Sequence, residues 1–314
     1  MEHRALGASG IHVSVLSLGS WQTYEHIPRE QGLSVMRAAR EAGLTFLDDA
    51  RYDDRTGRAP IPTGYSEVVF GELFRAAGWR RDEVVVANKL WWEFWPRQSA
   101  ADELDASLGR MGLDDVDLIY SERPPEGLAV REIVDQVAGL LRSGKARAWG
   151  VLNWHAELVA CAAQVAHDAG IAAPCAAQLV YSLASHEVVE SEAMGSALDL
   201  AGTSVVASSV LAGGALSAKY ARGERGRLSD QLEAPRRRRA VQVGQRLSEV
   251  AGQLQATPAQ LALVFALTGP RIASVLFGAT SPEQVRENVA ALELLGRLTD
   301  ADLSELRALA EGDA

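Results

Sequence analysis

The chain has 314 residues, 47% hydrophobic and 23% charged, which is enough apolar material for one large core, and its net charge is −10. With no basic run longer than the four arginines at 236–239, that acidity argues against nucleic acid or an anionic membrane as partner and points to a small molecule. No apolar run approaches the roughly 20 residues that span a bilayer, MEHRALGASG lacks a signal-peptide core, and Cys161 and Cys175 show no CxxC or Cys/His spacing, so a cytoplasmic protein without metal or disulfide is expected.

In chain order, β-branched runs alternate with stretches whose apolar residues recur at helical spacing. Strands are predicted over 13–18, 45–48, 84–89, 116–121, 146–152, 176–180, 204–208 and 274–278. Helices are predicted over 29–42, 66–77, 99–111, 130–143, 156–169, 192–201 and 282–295, the last opened by Ser281 as cap and Pro282 at the first helical position. Gly43, Gly78, Gly112, Gly144, Gly170 and Gly202 follow the first six helices, as C-terminal caps do. A doubly wound sheet would carry a Gly-rich phosphate loop after its first strand, and LSLGSWQT has none. The expected fold is therefore α/β, a single-domain (β/α)₈ TIM barrel over 1–314. An insertion over 217–257 follows the seventh strand. It is polar and Arg-rich to 239, then helical over 240–255, with a second helix over 258–267. It falls on the face where barrel loops build active sites, and either a lid or a solvated excursion suits it.

C-terminal strand ends converge on one mouth, so they are read as a set. FLDDARY offers Asp48, Asp49 and Tyr52, VVVANKLWWEFW offers Lys89 and aromatic residues, and DLIYSERPPE ends an apolar strand on Glu122. Gln178 and Tyr181 end the sixth strand. A lysine beside a tyrosine lowers the phenol's pKa, and an aspartate keeps the lysine charged, so these residues form a proton-transfer site. Glu122 is either a neutral hydrogen-bond donor or an ionised partner of Arg51, Arg123 or Lys89. Trp21, Tyr24, Trp91, Trp92, Phe94, Trp95 and Trp154 are expected to wall a site for a flat or ring-shaped substrate, although ordinary loop packing explains part of such a cluster.

These segments resemble the aldo-keto reductases, in the branch of the potassium-channel β-subunits and of sugar and natural-product reductases. GLTFLDDA resembles the family's Gly-x-Asn-Phe-Phe-Asp-Thr-Ala, GYSEVVFGE its Ser-Glu-x-x-Leu-Gly helix, and VVVANK its lysine strand. WGVLNW is similar to Gly-x-Ser-Asn-Trp, AAQLVYSL to Gln-x-x-Tyr-Asn-Leu, and SSVLAGGALSAKY to the Tyr-Ser-Pro-Leu-Ala-x-Gly loop. SVLFGATSPEQVRENVAAL resembles the nucleotide-binding strand and helix nearly position by position.

The resemblance implies hydride transfer from NADPH to a carbonyl or a conjugated C=C bond of a small cyclic substrate, sugar-like or a secondary metabolite. Asp48 and Lys89 match two members of the catalytic tetrad. The position of the tyrosine holds Asp53, so Tyr52, one residue earlier, is preferred, with Tyr65 beyond an insertion as the alternative. The family's histidine matches Glu122, a change shared with members that saturate conjugated C=C bonds, so the resemblance favours enone-type reduction with Glu122 as a catalytic residue orienting the acceptor oxygen. The nicotinamide carboxamide is expected near Asn153 and Gln178, with Leu152 in place of a serine and Ser208 in place of a ring-stacking tyrosine, so that the stacking is either lost or supplied by another aromatic such as Tyr181. Leu211, Gly213 and Lys219 are expected along the pyrophosphate, and Gly278, Thr280, Gln284, Glu287 and Asn288 at the adenosine end. NADPH is preferred to NADH. The alternative reading is an NADPH-binding sensor with little turnover, like the channel β-subunits. Monomer and homo-oligomer both remain open.

Overall fold

The computed structural model describes residues 1–54, 56–217, 219–220, 223 and 234–311. It opens with a hairpin that the sequence pattern did not separate from the first barrel strand: β1 (His3–Ala5) pairs antiparallel with β2 (His12–Ser14). Ser14 divides the predicted 13–18 strand. Its hydroxyl donates to the Leu16 carbonyl at 2.6 Å and accepts from the Thr45 N–H at 2.9 Å, turning the chain from hairpin to barrel. Leu6, Ile11 and Val13 are buried with Val85, Cys175 and Ala273 near the strand starts, so the hairpin stoppers the N-terminal end of the barrel.

Eight parallel strands then close on themselves: β3 (Leu16–Gly19), β4 (Phe46–Asp48), β5 (Val85–Leu90), β6 (Val116–Ser121), β7 (Ala146–Leu152), β8 (Ala176–Val180), β9 (Ser204–Ser208) and β10 (Ile272–Phe277), with β10 returning to pair with β3. The expected (β/α)₈ barrel is the observed fold. Around it run α1 (Arg29–Glu41), α2 (Tyr65–Ala76), α3 (Ala100–Met111), α4 (Val130–Arg142), α5 (Ala156–Ala169), α6 (Glu187–Glu190), α7 (Glu192–Ala201), α8 (Pro235–Gln253), α9 (Pro258–Leu267), α10 (Pro282–Val289), α11 (Ala291–Leu295) and α12 (Asp300–Glu311). The predicted 282–295 helix is two helices meeting at Ala290, and α6 and α12 were not anticipated.

Strand side chains alternate between two cores. Phe46, Leu118 and Tyr120 point into the barrel, whereas Leu47, Ile119 and Val151 face the helices. At Gly71 of α2 an added Cβ would lie 1.9 Å from the Met111 carbonyl oxygen, so the glycine lets α2 rest directly on the end of α3. After β9 a 3-10 turn (Ala212–Ser217) meets α8, where a Cβ at Gly244 would come within 2.4 Å of the Ala215 carbonyl oxygen. Most of the polar stretch read as either a lid or a solvated excursion, including 224–233, lies outside the described residues. No single helix among the described residues is long and apolar enough to cross a membrane. A bent pair, Arg237–Gln253 with Pro258–Leu267, passes on length and composition alone, but α9 is buried within the protein.

Candidate active site

Asp48 ends β4 and Lys89 lies on β5, both facing into the barrel and both only 3% exposed at the side chain. The Lys89 ammonium lies 2.5 Å from Asp48 Oδ1 and donates to the Tyr52 phenol oxygen at 3.2 Å. Gln178, from β8 across the barrel, donates to Asp48 Oδ2 at 2.8 Å. Three strand ends thus converge on one charged cluster inside the barrel.

The loop after β4 explains which tyrosine is involved. Ser66 Oγ donates to the Ala50 carbonyl at 2.8 Å, and the Gly64 N–H donates to the Tyr52 carbonyl at 2.8 Å. Asp53 and Thr63 form an isolated antiparallel bridge between these anchors. The inserted residues therefore leave and rejoin the chain beside Tyr52 without displacing it. Tyr65 opens α2 instead, and its hydroxyl accepts from Arg29 Nη2 at 2.8 Å. Of the two candidates, Tyr52 is the one beside Lys89. The Trp91 ring meets Tyr52 edge to face, with centroids 6.1 Å apart.

The electrostatics correct one expectation. Burial drives the Tyr52 phenol well above its ordinary range, and the charges of Asp48 and Asp49 add to this, so the lowering by Lys89 is outweighed. For Lys89, burial favours the neutral amine, but Asp48 and Tyr52 together prevail and hold the ammonium above the usual lysine range. The site therefore pairs a neutral phenol with a charged lysine.

Glu122 follows β6, its N–H continuing the sheet to the Leu90 carbonyl at 2.9 Å. Its carboxylate accepts from the Arg123 N–H at 3.0 Å and faces the Arg123 guanidinium at 3.6 Å, with the side chain 22% exposed. Arg123 in turn contacts His155 at 3.4 Å. Of the two roles left open for Glu122, this geometry matches the partner of Arg123.

Asp49, read from the sequence with the strand-end set, faces away from the cluster, and Glu103 was not singled out at all. Asp49 is fully buried on the opposite face of the chain from Asp48, accepts from the Ser20 hydroxyl, and leaves Oδ2 without a partner among the described residues. Burial first, and then the negative charge of Glu67, push its carboxyl well above the ordinary range. Glu67 itself is satisfied by Asn88 at 2.9 Å and Arg110 at 2.5 Å. Glu103 of α3 accepts from the N–H groups of Trp91 at 2.9 Å and Trp92 at 3.3 Å, fixing the loop that carries the tryptophans. Adjacent acids at the end of a buried strand were a readable signal for Asp49, because one must face each core. Glu103 left no such signal.

The aromatic wall is smaller than expected. Trp21 and Phe94 are 43% and 40% exposed, and Trp91 packs against the barrel-interior core. Tyr24, Trp92 and Trp154 instead pack in the shell between barrel and helices; Trp92 takes a left-handed backbone conformation that seats its indole N–H on Ser121 Oγ at 2.9 Å. Tyr181 also packs in that shell, stacked on Phe265 with its hydroxyl donating to Glu190 at 2.5 Å, so it does not supply the ring stacking proposed for it.

The residues expected at a dinucleotide gather at the ends of β7 to β10. Asn153 has a left-handed backbone and donates its N–H to the Gln178 carbonyl at 3.0 Å, while the Ser208 carbonyl accepts from the Tyr181 N–H at 3.0 Å. Leu211 leads into the turn containing Gly213 and Gly214, both left-handed, and a Cβ at Gly214 would meet Lys219 Cε at 2.6 Å. At Gly278 a Cβ would approach Thr23 Oγ1 at 3.4 Å. Ser281 caps α10 and Gln284 accepts from the Thr280 N–H at 2.7 Å, so that amide oxygen is already engaged. The Glu287 carbonyl accepts from Gln260 at 3.3 Å. Asn288, on α10, is buried, with 4% exposure.

A closed parallel barrel thus holds a buried Asp, Lys and Tyr together at its mouth. The chain belongs to the aldo/keto reductase family, whose family model matches residues 15–311. It is 30% identical over 327 positions to a probable voltage-gated potassium channel subunit beta of Oryza sativa subsp. japonica, covering 99% of this chain and 97% of that protein. It is 31% identical to a putative voltage-gated potassium channel subunit beta of Schizosaccharomyces pombe, covering 96% and 91%.

Proposed function

We propose that the protein is an NADPH-dependent reductase of small, ring-shaped carbonyl compounds or their conjugated C=C bonds, acting in the cytoplasm. The observation that carries this reading is the contact of Lys89 with both Asp48 and Tyr52. The dinucleotide, when bound, supplies the hydride. Tyr52, kept protonated by burial, donates its proton to the substrate oxygen. Lys89, already charged and 3.2 Å away, stabilises the phenolate left behind without having to move, and Gln178 holds Asp48 beneath it.

The chain's residues fit the cofactor. Asn153, Gln178 and Ser208 would hold the carboxamide, and Leu211, Gly213 and Lys219 would line the pyrophosphate. Gly278, Thr280, Gln284, Glu287 and Asn288 would hold the adenosine end. The consecutive left-handed glycines at 213 and 214, which keep side chains off a close-approaching ligand, support this assignment. Glu122, at the end of β6, would orient the acceptor oxygen, giving up its solvent-screened contact with Arg123 to do so.

Stopped-flow absorbance at the nicotinamide band, with aldehydes, ketones and enones as acceptors, tests the reading. Oxidation of bound NADPH is expected, slowed about 10²–10⁴-fold in Tyr52→Phe and little changed in Tyr65→Phe. If no acceptor oxidises the nucleotide, the enzyme reading fails and a sensor with little turnover takes its place.

A further inference from the structure

One cavity of the fold lies outside the residues assigned to chemistry or cofactor. It has a volume of about 600 Å³ and opens between the loop after β4, the loop after β5 and α3. Its polar lining includes three guanidiniums, Arg51, Arg97 and Arg110, with Gln98 and Thr63 beside them and the exposed ring of Phe94 at one side. In a chain of net charge −10 such a grouping is against the average. Among the described residues that line it the one acid is Glu103, whose two oxygens each accept a backbone N–H.

The arginines divide into two kinds. Arg51, 9% exposed, is held by Thr63 Oγ1 at 2.8 Å and Glu93 at 2.6 Å, with Asp53 at 3.6 Å, and its guanidinium lies 5.7 Å from the Phe94 ring centroid. Arg110 is fixed by Glu67 at 2.5 Å and Ser107 at 3.0 Å, leaving Nη1 without a partner among the described residues. Those two are the built frame. The side chains of Arg97 and Gln98 have no hydrogen-bond or ion-pair partner among the described residues and supply the unused donors. Glu93 and Asp53 are 49% and 66% exposed, so an incoming anion displaces weak, solvent-screened partners from Arg51.

We propose that this cleft binds a small organic anion, a carboxylate or phosphate on a flat or ring-shaped body, with the anionic group on Arg97 and Arg51 and the ring against Phe94. It is separate from the expected cofactor cleft, because β4 and β5 lie across the closed barrel from β8 and β9. It is also coupled to the site: Arg51 directly precedes Tyr52, and Glu103 carries the loop whose Trp91 packs on that phenol. The anion is either the tail of the substrate or a separate effector.

Calorimetric titration of the full chain with phthalate and with inorganic phosphate, at low ionic strength with and without NADP⁺, tests the binding independently of any turnover. Saturable phthalate binding in about the millimolar range is expected, unaffected by NADP⁺, absent for neutral benzamide, and about tenfold weaker in the surface variant Arg97→Gln. Binding that NADP⁺ abolishes, that choline chloride reproduces, or that Arg97→Gln leaves intact overturns the proposal. A second arm rests on the reductase reading and separates the two sources. A lower KM for 4-carboxybenzaldehyde than for benzaldehyde, lost in Arg97→Gln, marks the substrate's tail, whereas an effect of phthalate on benzaldehyde reduction marks an effector. Neither effect, with binding intact, removes the coupling to the site.

Discussion

Replacing Lys89 with methionine is the most informative perturbation of the cluster. Asp48 and Lys89 are each 3% exposed and 2.5 Å apart, and without the ammonium Asp48 keeps only the Gln178 donation at 2.8 Å. Removing one partner of a buried pair costs about 3–5 kcal/mol, because the remaining charge is left uncompensated. Asp48→Asn strands Lys89 in the same way, with Tyr52 as its one neutral contact. The double variant leaves no buried charge, so its loss is expected to fall short of the sum of the single losses by about 2 kcal/mol or more. Equilibrium urea unfolding of the four proteins at pH 7 measures this. Because the folded Lys89 pKa is raised, the lysine's contribution is fully present below the unfolded value of about 10.4 and is lost only as pH climbs through the folded one. The coupling is therefore expected to be the same at pH 6 and pH 8. Additive single losses, or a Lys89→Met unfolding curve that overlays the parent, would refute the reasoning.

Three further outcomes follow from particular contacts. Asp49 has a raised folded pKa, so its contribution is fully present below about pH 3.9 and lost as pH rises through the folded value. Asp49→Asn is expected to gain in Tm relative to the parent between pH 5 and pH 9, and parallel profiles would show that Asp49 does not titrate in this range. Gly71→Ala places a methyl 1.9 Å from the Met111 carbonyl, which must shift, at a cost of about 1–3 kcal/mol read as a lower urea midpoint; an unchanged midpoint means that α2 and α3 separate freely. Glu122→His, which removes the partner of Arg123, is expected to raise the ratio of carbonyl to C=C reduction about tenfold, or about 1.4 kcal/mol. No change in either rate removes any positional role for Glu122.

The sequence by itself determined the barrel, because strand and helix periodicity are local and the glycine caps mark where each helix stops. Six of the seven helices predicted around the strands appear within a residue or two at each end, and the eight strands pair in their predicted order. Asp48 and Lys89 were legible for the same reason, each being a charged residue at an inward position of a buried strand. What remained open depended on distance through space. Ser14 splits hairpin from barrel through bonds to Leu16 and Thr45, and alternation alone cannot register them. Tyr52 was separated from Tyr65 by the anchors at Ala50 and Gly64, which let the insertion loop out without moving the phenol. The sign of the Tyr52 shift also depended on tertiary structure, since a neighbouring lysine lowers the pKa but the depth of burial decides the balance. Tyr24, Trp92 and Trp154 read as pocket walls because they follow strand ends, yet a loop residue's direction is set by what packs beneath it, and theirs is the helical shell.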